Sequence, residues 1–289
     1  MANFKANVPD FNNYLVYIFA NMKDKDPEIR QAAGLILKNN IRTSFANISE
    51  ASLSHIKQVV VNALSDPIIY IRNTAGTLVT SIVTHIQLER WPDLITRLAA
   101  LMDTPTTATL AATATATTAT TIPNNQNLSS IGGTGGVDGG GNSGLFAVQG
   151  AIDAILKIAE DSPEQLIYDD TKPLDVLIPK LIQFLGHSDE TVRKNSLATL
   201  IQFLPSEATP LLVNMDNFLK GIFHLATNDP NKRVKRFVCR AFVVMLDNPK
   251  YLAPYMKDII QFMIVCTNDV DEDLALEACE FWSVLAESD

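Results

Sequence analysis

Apolar and polar positions follow a helical period along almost the whole of this chain. In five places a short acidic turn precedes apolar or small residues spaced i, i+4, i+7 and i+11, which fall on one face of an α-helix. Val234, Val238, Ala241 and Met245 return as Leu274, Ala278, Phe281 and Leu285 at a constant offset of 40. Ile29, Ala33 and Ile36 return as Ile71, Ala75 and Leu78 at an offset of 42, with Gly34 and Gly76 beside them. Val192, Ser196, Thr199 and Phe203 form the middle copy. Small residues at the second stripe position allow neighbouring helices to approach closely.

The turns repeat with the stripes. Asp24-Lys25-Asp26-Pro27, Asp66-Pro67, Ser188-Asp189, Asn228-Asp229-Pro230 and Asn268-Asp269 supply the side chains that cap a helix and, in three of them, a proline suited to its first turn. Each such helix has an amphipathic partner before it, marked by Leu53, Ile56, Val60 and Leu64, by Phe218, Ile222 and Leu225, and by Ile259, Met263 and Cys266. Two helices per unit of about 40 residues predict an all-α fold, an α-α superhelix of HEAT type. Arg30, Arg72, Arg193 and Lys235 recur beside the first stripe residue. Stacking would set each beside the aspartate of a neighbouring turn, giving a ladder of ion pairs that Ala275 breaks.

From Arg72 to Arg193 there are 121 residues, close to three periods, but only one complete hairpin fits between them, built from about 91–102 and 145–160. The surplus is residues 103–144, a Thr/Ala tract followed by a Gly-rich run, with too few large apolar residues to offset the entropy of ordering. The prediction is therefore about six hairpins with a disordered insertion. Residues 1–102 hold repeats 1 and 2 and the first helix of repeat 3, and 145–289 hold its second helix and repeats 4–6.

A net charge of −9 over 289 residues argues against general nucleic-acid binding, which needs many phosphate-neutralising cations. It favours basic partners at long range. Cys239, Cys266 and Cys279 are odd in number, lack CxxC spacing and lie in apolar helical patterns, so buried thiols in a reducing compartment are expected. No charged-then-apolar leader opens the chain, which leaves the sequons at Asn47 and Asn127 idle, and no apolar run approaches the ~20 residues that span a bilayer.

Catalytic and cofactor chemistry finds no anchor. Gly139, Gly141 and Gly144 satisfy GxGxxG, but inside the insertion, without the preceding strand that a dinucleotide site requires. No phosphate-binding loop or nucleophile elbow occurs. His55, His85, His187 and His224 are dispersed without metal-ligand spacing. The carboxylates sit mostly in turns, where capping explains them. A non-enzymatic binding protein without cofactor or metal is expected. Lys232, Arg233, Lys235, Arg236 and Arg240 form one dense basic cluster, read either as stacking ladder and solvated face or as a contact patch for an acidic surface. Trp91 is expected to wedge between hairpins.

Certain runs are less generic. They are Pro9–Leu15, Gly34–Asn40, Trp91–Leu94, Glu160–Ser162, Val238–Ala241 and Ala275–Trp282. In order, and over nearly the whole chain outside 103–144, they closely resemble the N-terminal part of the karyopherin-β2 branch of the importin-β superfamily. The resemblance implies a HEAT superhelix that binds the GTPase Ran in its GTP form along a concave face lined by second helices. It implies weak interaction with FG-repeat nucleoporins, residence in cytoplasm, nucleus and nuclear pore, and cargo with nuclear localisation signals carried on a C-terminal arch. This chain is expected to be about the first third of such a receptor, with part of the first helix pair and the cargo arch absent. Lys38, Asn39 and Asn40 are the foremost Ran-facing candidates, followed by Asp161 and Trp282. For Asn40 a satisfied amide between repeats is an equal alternative. A general HEAT scaffold without Ran binding is the competing reading.

Overall fold

Each predicted stripe needs a second apolar surface to cover it, and the fold supplies one by stacking helix hairpins side by side. The computed structural model describes residues 10–105 and 143–287. The first hairpin is α1 (Phe11–Asn21) and α2 (Pro27–Ser44), the second α3 (Glu50–Ala63) and α4 (Ile69–Ile86). The third joins α5 (Leu94–Met102) to α6 (Ser143–Asp161). A short α7 (Pro163–Ile167) leads to α8 (Pro173–Phe184) and α9 (Glu190–Ile201). After the short α10 (Thr209–Val213) come α11 (Met215–Asn228) with α12 (Lys232–Met245), and then α13 (Met256–Thr267) with α14 (Glu272–Glu287). No strand occurs among the described residues.

The second helices form one continuous row, α2–α4–α6–α9–α12–α14, each packed on the next. The first helices flank it, with contacts from α1 to α3, α5 to α8 and α8 to α11. One apolar core runs through the stack from Leu15 to Phe281. Burying each of its leucines or phenylalanines is worth about 1.5–3 kcal/mol, so the core carries the fold. Close approach is bought with glycine at α6, where a Cβ on Gly150 would lie 2.0 Å from the Leu64 carbonyl oxygen.

The stripes at 192–203, 234–245 and 71–78 are fully buried, as are Leu274, Ala278 and Phe281. The first copy is different. Ile29 is 56% exposed and Ile36 only half-buried, and Ala33, Leu37 and Ile41 carry the burial instead. Among the described residues no helix covers the far flank of α2, so the position equivalent to Ile71 has nothing to pack on. The first hairpin nonetheless has both its helices. The insertion expected at 103–144 falls for the most part on 106–142, outside the described residues; α6 begins at Ser143, two residues before the expected helix start. Cys239 and Cys266 are buried, but Cys279 is exposed, because it sits one position past Ala278 and off the buried stripe. The Cys239 thiol is pushed well above its ordinary pKa by its hydrogen bond with Cys266 and by burial.

Candidate partner-binding surface

The turns between the helices of a pair dictate where the polar side chains of the second-helix row can go. Arg72 donates to the carbonyl oxygens of Asp66 (2.7 Å) and Pro67 (2.9 Å), and Arg193 repeats this with His187 (2.9 Å) and Ser188 (2.8 Å). The rest of each guanidinium fork faces the next repeat. Arg193 bonds Asp229 at 2.6 and 3.1 Å, and Arg30 bonds Asp66 at 2.5 Å with both side chains 2% exposed. The aspartates do two jobs: Asp66, Asp229 and Asp269 each also accept the backbone N–H two residues on, at 2.8–3.0 Å. The expected ladder therefore exists at these steps.

At the third hairpin the buried stripe is Val148, Ile152, Ile155 and Ala159, and the residue after its first position, where Arg72 and Arg193 stand in their helices, is Gln149. Its Oε1 accepts from Arg72 (2.8 Å) while its Nε2 donates to Asp189 (3.2 Å). An amide holds both a donor and an acceptor, so it can join a guanidinium to a carboxylate two hairpins along. The Arg72 guanidinium also lies 4.7 Å from the centroid of the Phe146 ring. Burial pulls its pKa below the ordinary value, against the opposing carboxylates of Asp66, Asp153 and Asp189.

At the last step the expected cation, Lys235, is replaced by Lys232, which pairs with Asp269. A lysine has no fork with which to take turn carbonyls and a carboxylate together, so Lys235 does not repeat the arginine pattern. The Lys232 ammonium holds the Asp269 carboxyl below its usual range. One and two turns further along α12, Arg236 bonds Asp273 (2.7 Å) and Arg240 bonds Glu277 (2.9 and 3.0 Å). Three of the five basic residues are thus matched to acids on α14 or in the turn before it; Arg233 and Lys235 form no ion pair among the described residues.

The sequence-predicted contact residues are spread over the stack. Lys38 is half-buried and Asn39 exposed on α2, Asp161 is exposed at the end of α6, and Trp282 on α14 donates its indole N–H to Thr267 (2.9 Å). Asn40 is buried and turns inward, donating Nδ2 to Asn12 Oδ1 on α1 at 2.9 Å. It belongs to the join within the first hairpin and presents nothing to an outer face. Sequence reasoning missed a polar strip on α4, Asn73, Thr77, Ser81 and Thr84. The three hydroxyls donate to carbonyls one turn back (2.8–3.0 Å), so their lone pairs remain available to donors from outside. Their i, i+4, i+8, i+11 spacing along one face of the helix was the available signal. Trp91 is buried as a wedge, with the Lys57 ammonium 5.5 Å from its ring centroid.

Comparison with known proteins agrees with this architecture. Residues 2–66 match the importin-β N-terminal domain. A crystal structure of importin β superposes with a TM-score of 0.70 at 18% identity, covering 96% of this chain and 31% of that one. Two structures of Kap95 do so as well, one of Kap95p with RanGDP (TM-score 0.67, 15% identity, 98% and 30% covered) and one a Kap95:Nup1 complex (0.64, 15%, 96% and 30%). The chain belongs to the importin-β family of helical-repeat proteins. Within that family its kin are the transportins: mouse transportin-1 is 35% identical over 281 residues, covering 96% of this chain. The chain spans 27% of the length of that relative.

Proposed function

We propose that this chain is the N-terminal module of a nuclear transport receptor, and that its second-helix row binds Ran in the GTP form. The observation that carries the reading is the 35% identity to transportin-1 along almost the entire stack. The geometry supports it. The second helices form an uninterrupted row, and Asn39, the α4 hydroxyl strip, Asp161 and the cations Arg233 and Lys235 stand on those of the first, second, third and fifth hairpins. A fold neighbour, Kap95p, is described with RanGDP whose switch loops adopt the GTP-bound conformation. Nucleoporin contact is the companion proposal, since the Kap95:Nup1 complex shares the fold. Cargo bearing nuclear localisation signals is assigned to the further length that the relatives possess, and the module would work in cytoplasm, nucleus and nuclear pore.

Pull-down with Ran loaded with GTP or GDP tests the reading. Binding of the GTP form alone, weakened when Arg233 and Lys235 are both changed to Glu, is the expected result. Equal binding of both forms, or of neither, overturns it and leaves a general helical-repeat scaffold.

A further inference from the structure

The fifth and sixth hairpins meet along α12 and α13, and two contacts fix which residues face each other there. Lys232 at the start of α12 pairs with Asp269 just past the end of α13. Further along α12, the ring of Phe242 meets that of Phe262 edge to face, with centroids 6.1 Å apart. The two helices are therefore antiparallel. Lys235, Cys239 and Phe242 are spaced i, i+4, i+7 and share one face of α12, and Phe262, Cys266 and Asp269 share one face of α13 in the same way. This register sets Cys239 opposite Cys266, and the two thiols are hydrogen-bonded. Both residues are buried, at 0% and 2% exposure. A cleft of about 400 Å³ adjoins them, lined among others by Cys266, Lys235, Asp269 and the rings of Phe223, Phe242 and Phe262.

Two thiols held face to face have a chemistry that neither has alone. The hydrogen bond from Cys239 pulls the Cys266 thiol below its ordinary pKa, and the Lys235 ammonium adds to the pull against the opposing effect of burial. A thiolate, not a thiol, is the nucleophile, so Cys266 is the sulfur that attacks and Cys239, which keeps its proton, is the one that resolves. We propose that Cys239 and Cys266 form a redox-active dithiol whose substrate is a small hydroperoxide, and that its oxidation ties the fifth hairpin covalently to the sixth. The Cys266 thiolate attacks one oxygen of hydrogen peroxide. The O–O bond breaks, the other oxygen leaves as hydroxide and becomes water with the proton Cys266 gave up, and a sulfenic acid remains. The Cys239 sulfur then attacks the Cys266 sulfur, the S–O bond breaks, and the hydroxyl leaves with the Cys239 proton as a second water. The two thiols lose two electrons and the peroxide gains them. A disulfide needs its sulfurs about 2 Å apart, and the cleft gives α13 room to close on α12.

The test is mass spectrometry of the whole folded chain before and after hydrogen peroxide. It is carried out in Cys279→Ser, which removes the exposed thiol on α14. Expected are a mass loss of two hydrogens, a proteolytic fragment linked through Cys239 and Cys266, and recovery of both thiols with dithiothreitol. With Cys239→Ala added, the reaction should stop at a Cys266 sulfenic acid that dimedone traps. The first measurement alters nothing in the core, so it stands whatever the stability of the second variant. Two thiols still free after peroxide in the folded chain, but oxidised once urea unfolds it, would make them inert core residues and overturn the inference. So would disulfides formed between chains, or Cys266 driven to sulfinic acid with Cys239 left free.

Discussion

The first and last junctions of the stack are both closed by charge, but in opposite surroundings. Arg30 and Asp66 meet between the first and second hairpins with each side chain 2% exposed, and Arg30 gives a further bond to the Phe19 carbonyl (2.9 Å). Between the fifth and sixth hairpins the pairs Lys232–Asp269, Arg236–Asp273 and Arg240–Glu277 line up along two helices, every cation at least one-third exposed. A buried pair is severely weakened when one partner is removed, because the other is stranded in low dielectric. Exposed pairs contribute little each and are screened by salt. One end of the molecule is thus fastened by a single contact that cannot be halved, the other by several that can be traded for solvent. A binding surface that must adjust to a partner is better served by the second kind.

The comparison is tested most severely at its buried end. Asp66→Ala should cost about 3–5 kcal/mol, read by urea unfolding, with hydrogen exchange locating the loss in α2 and α4. A cost below about 1 kcal/mol would remove the distinction between the two ends. At the exposed end, Arg236→Ala and Arg240→Ala should each cost at most ~1 kcal/mol. Their Tm deficit should vanish in 1 M salt, where the screening length falls to about 3 Å; a deficit that persists there means the pairs act as packing. The smallest effect lies midway. His187 has its Nε2 buried without a partner and its pKa lowered by burial from the ordinary 6.5. The unfolded chain takes up this proton at higher pH than the folded one, so stability is full above about pH 6.5 and declines as pH falls toward the folded value. His187→Asn can still accept the Asp189 N–H, and should flatten the Tm profile between pH 7.5 and 5.5.

Period, hairpin number and most of the core were legible because burial of a stripe depends on neighbours that the same period supplies. Ile29 escaped for the converse reason, since among the described residues no matching neighbour lies on its flank. The charge ladder was legible where arginine sits at the recurring position, and misplaced by one helical turn where lysine does, since only the fork fixes the geometry. Gln149 was missed although it follows the stripe residue Val148 at the recurring position. Its partners, Arg72 and Asp189, stand 77 and 40 residues away, and a glutamine carries no charge to advertise the role. The candidate surface was read with the same bias. Motif matching offered Asn40 either as a partner contact or as an amide held between helices, and the coordinates show it bonded to Asn12 on α1, while the hydroxyl strip on α4 has no motif to announce it.

The Gln149 relay has a consequence for what the chain can tolerate. In the other hairpins joined through a ladder aspartate, the residue that closes the junction sits in the loop, so altering the loop's length would disturb the fastening. In the third hairpin it sits inside α6, downstream of the join. The three side chains of this fastening, Arg72, Gln149 and Asp189, all lie outside the stretch between Pro105 and Ser143, so a splice made there would sever none of its bonds.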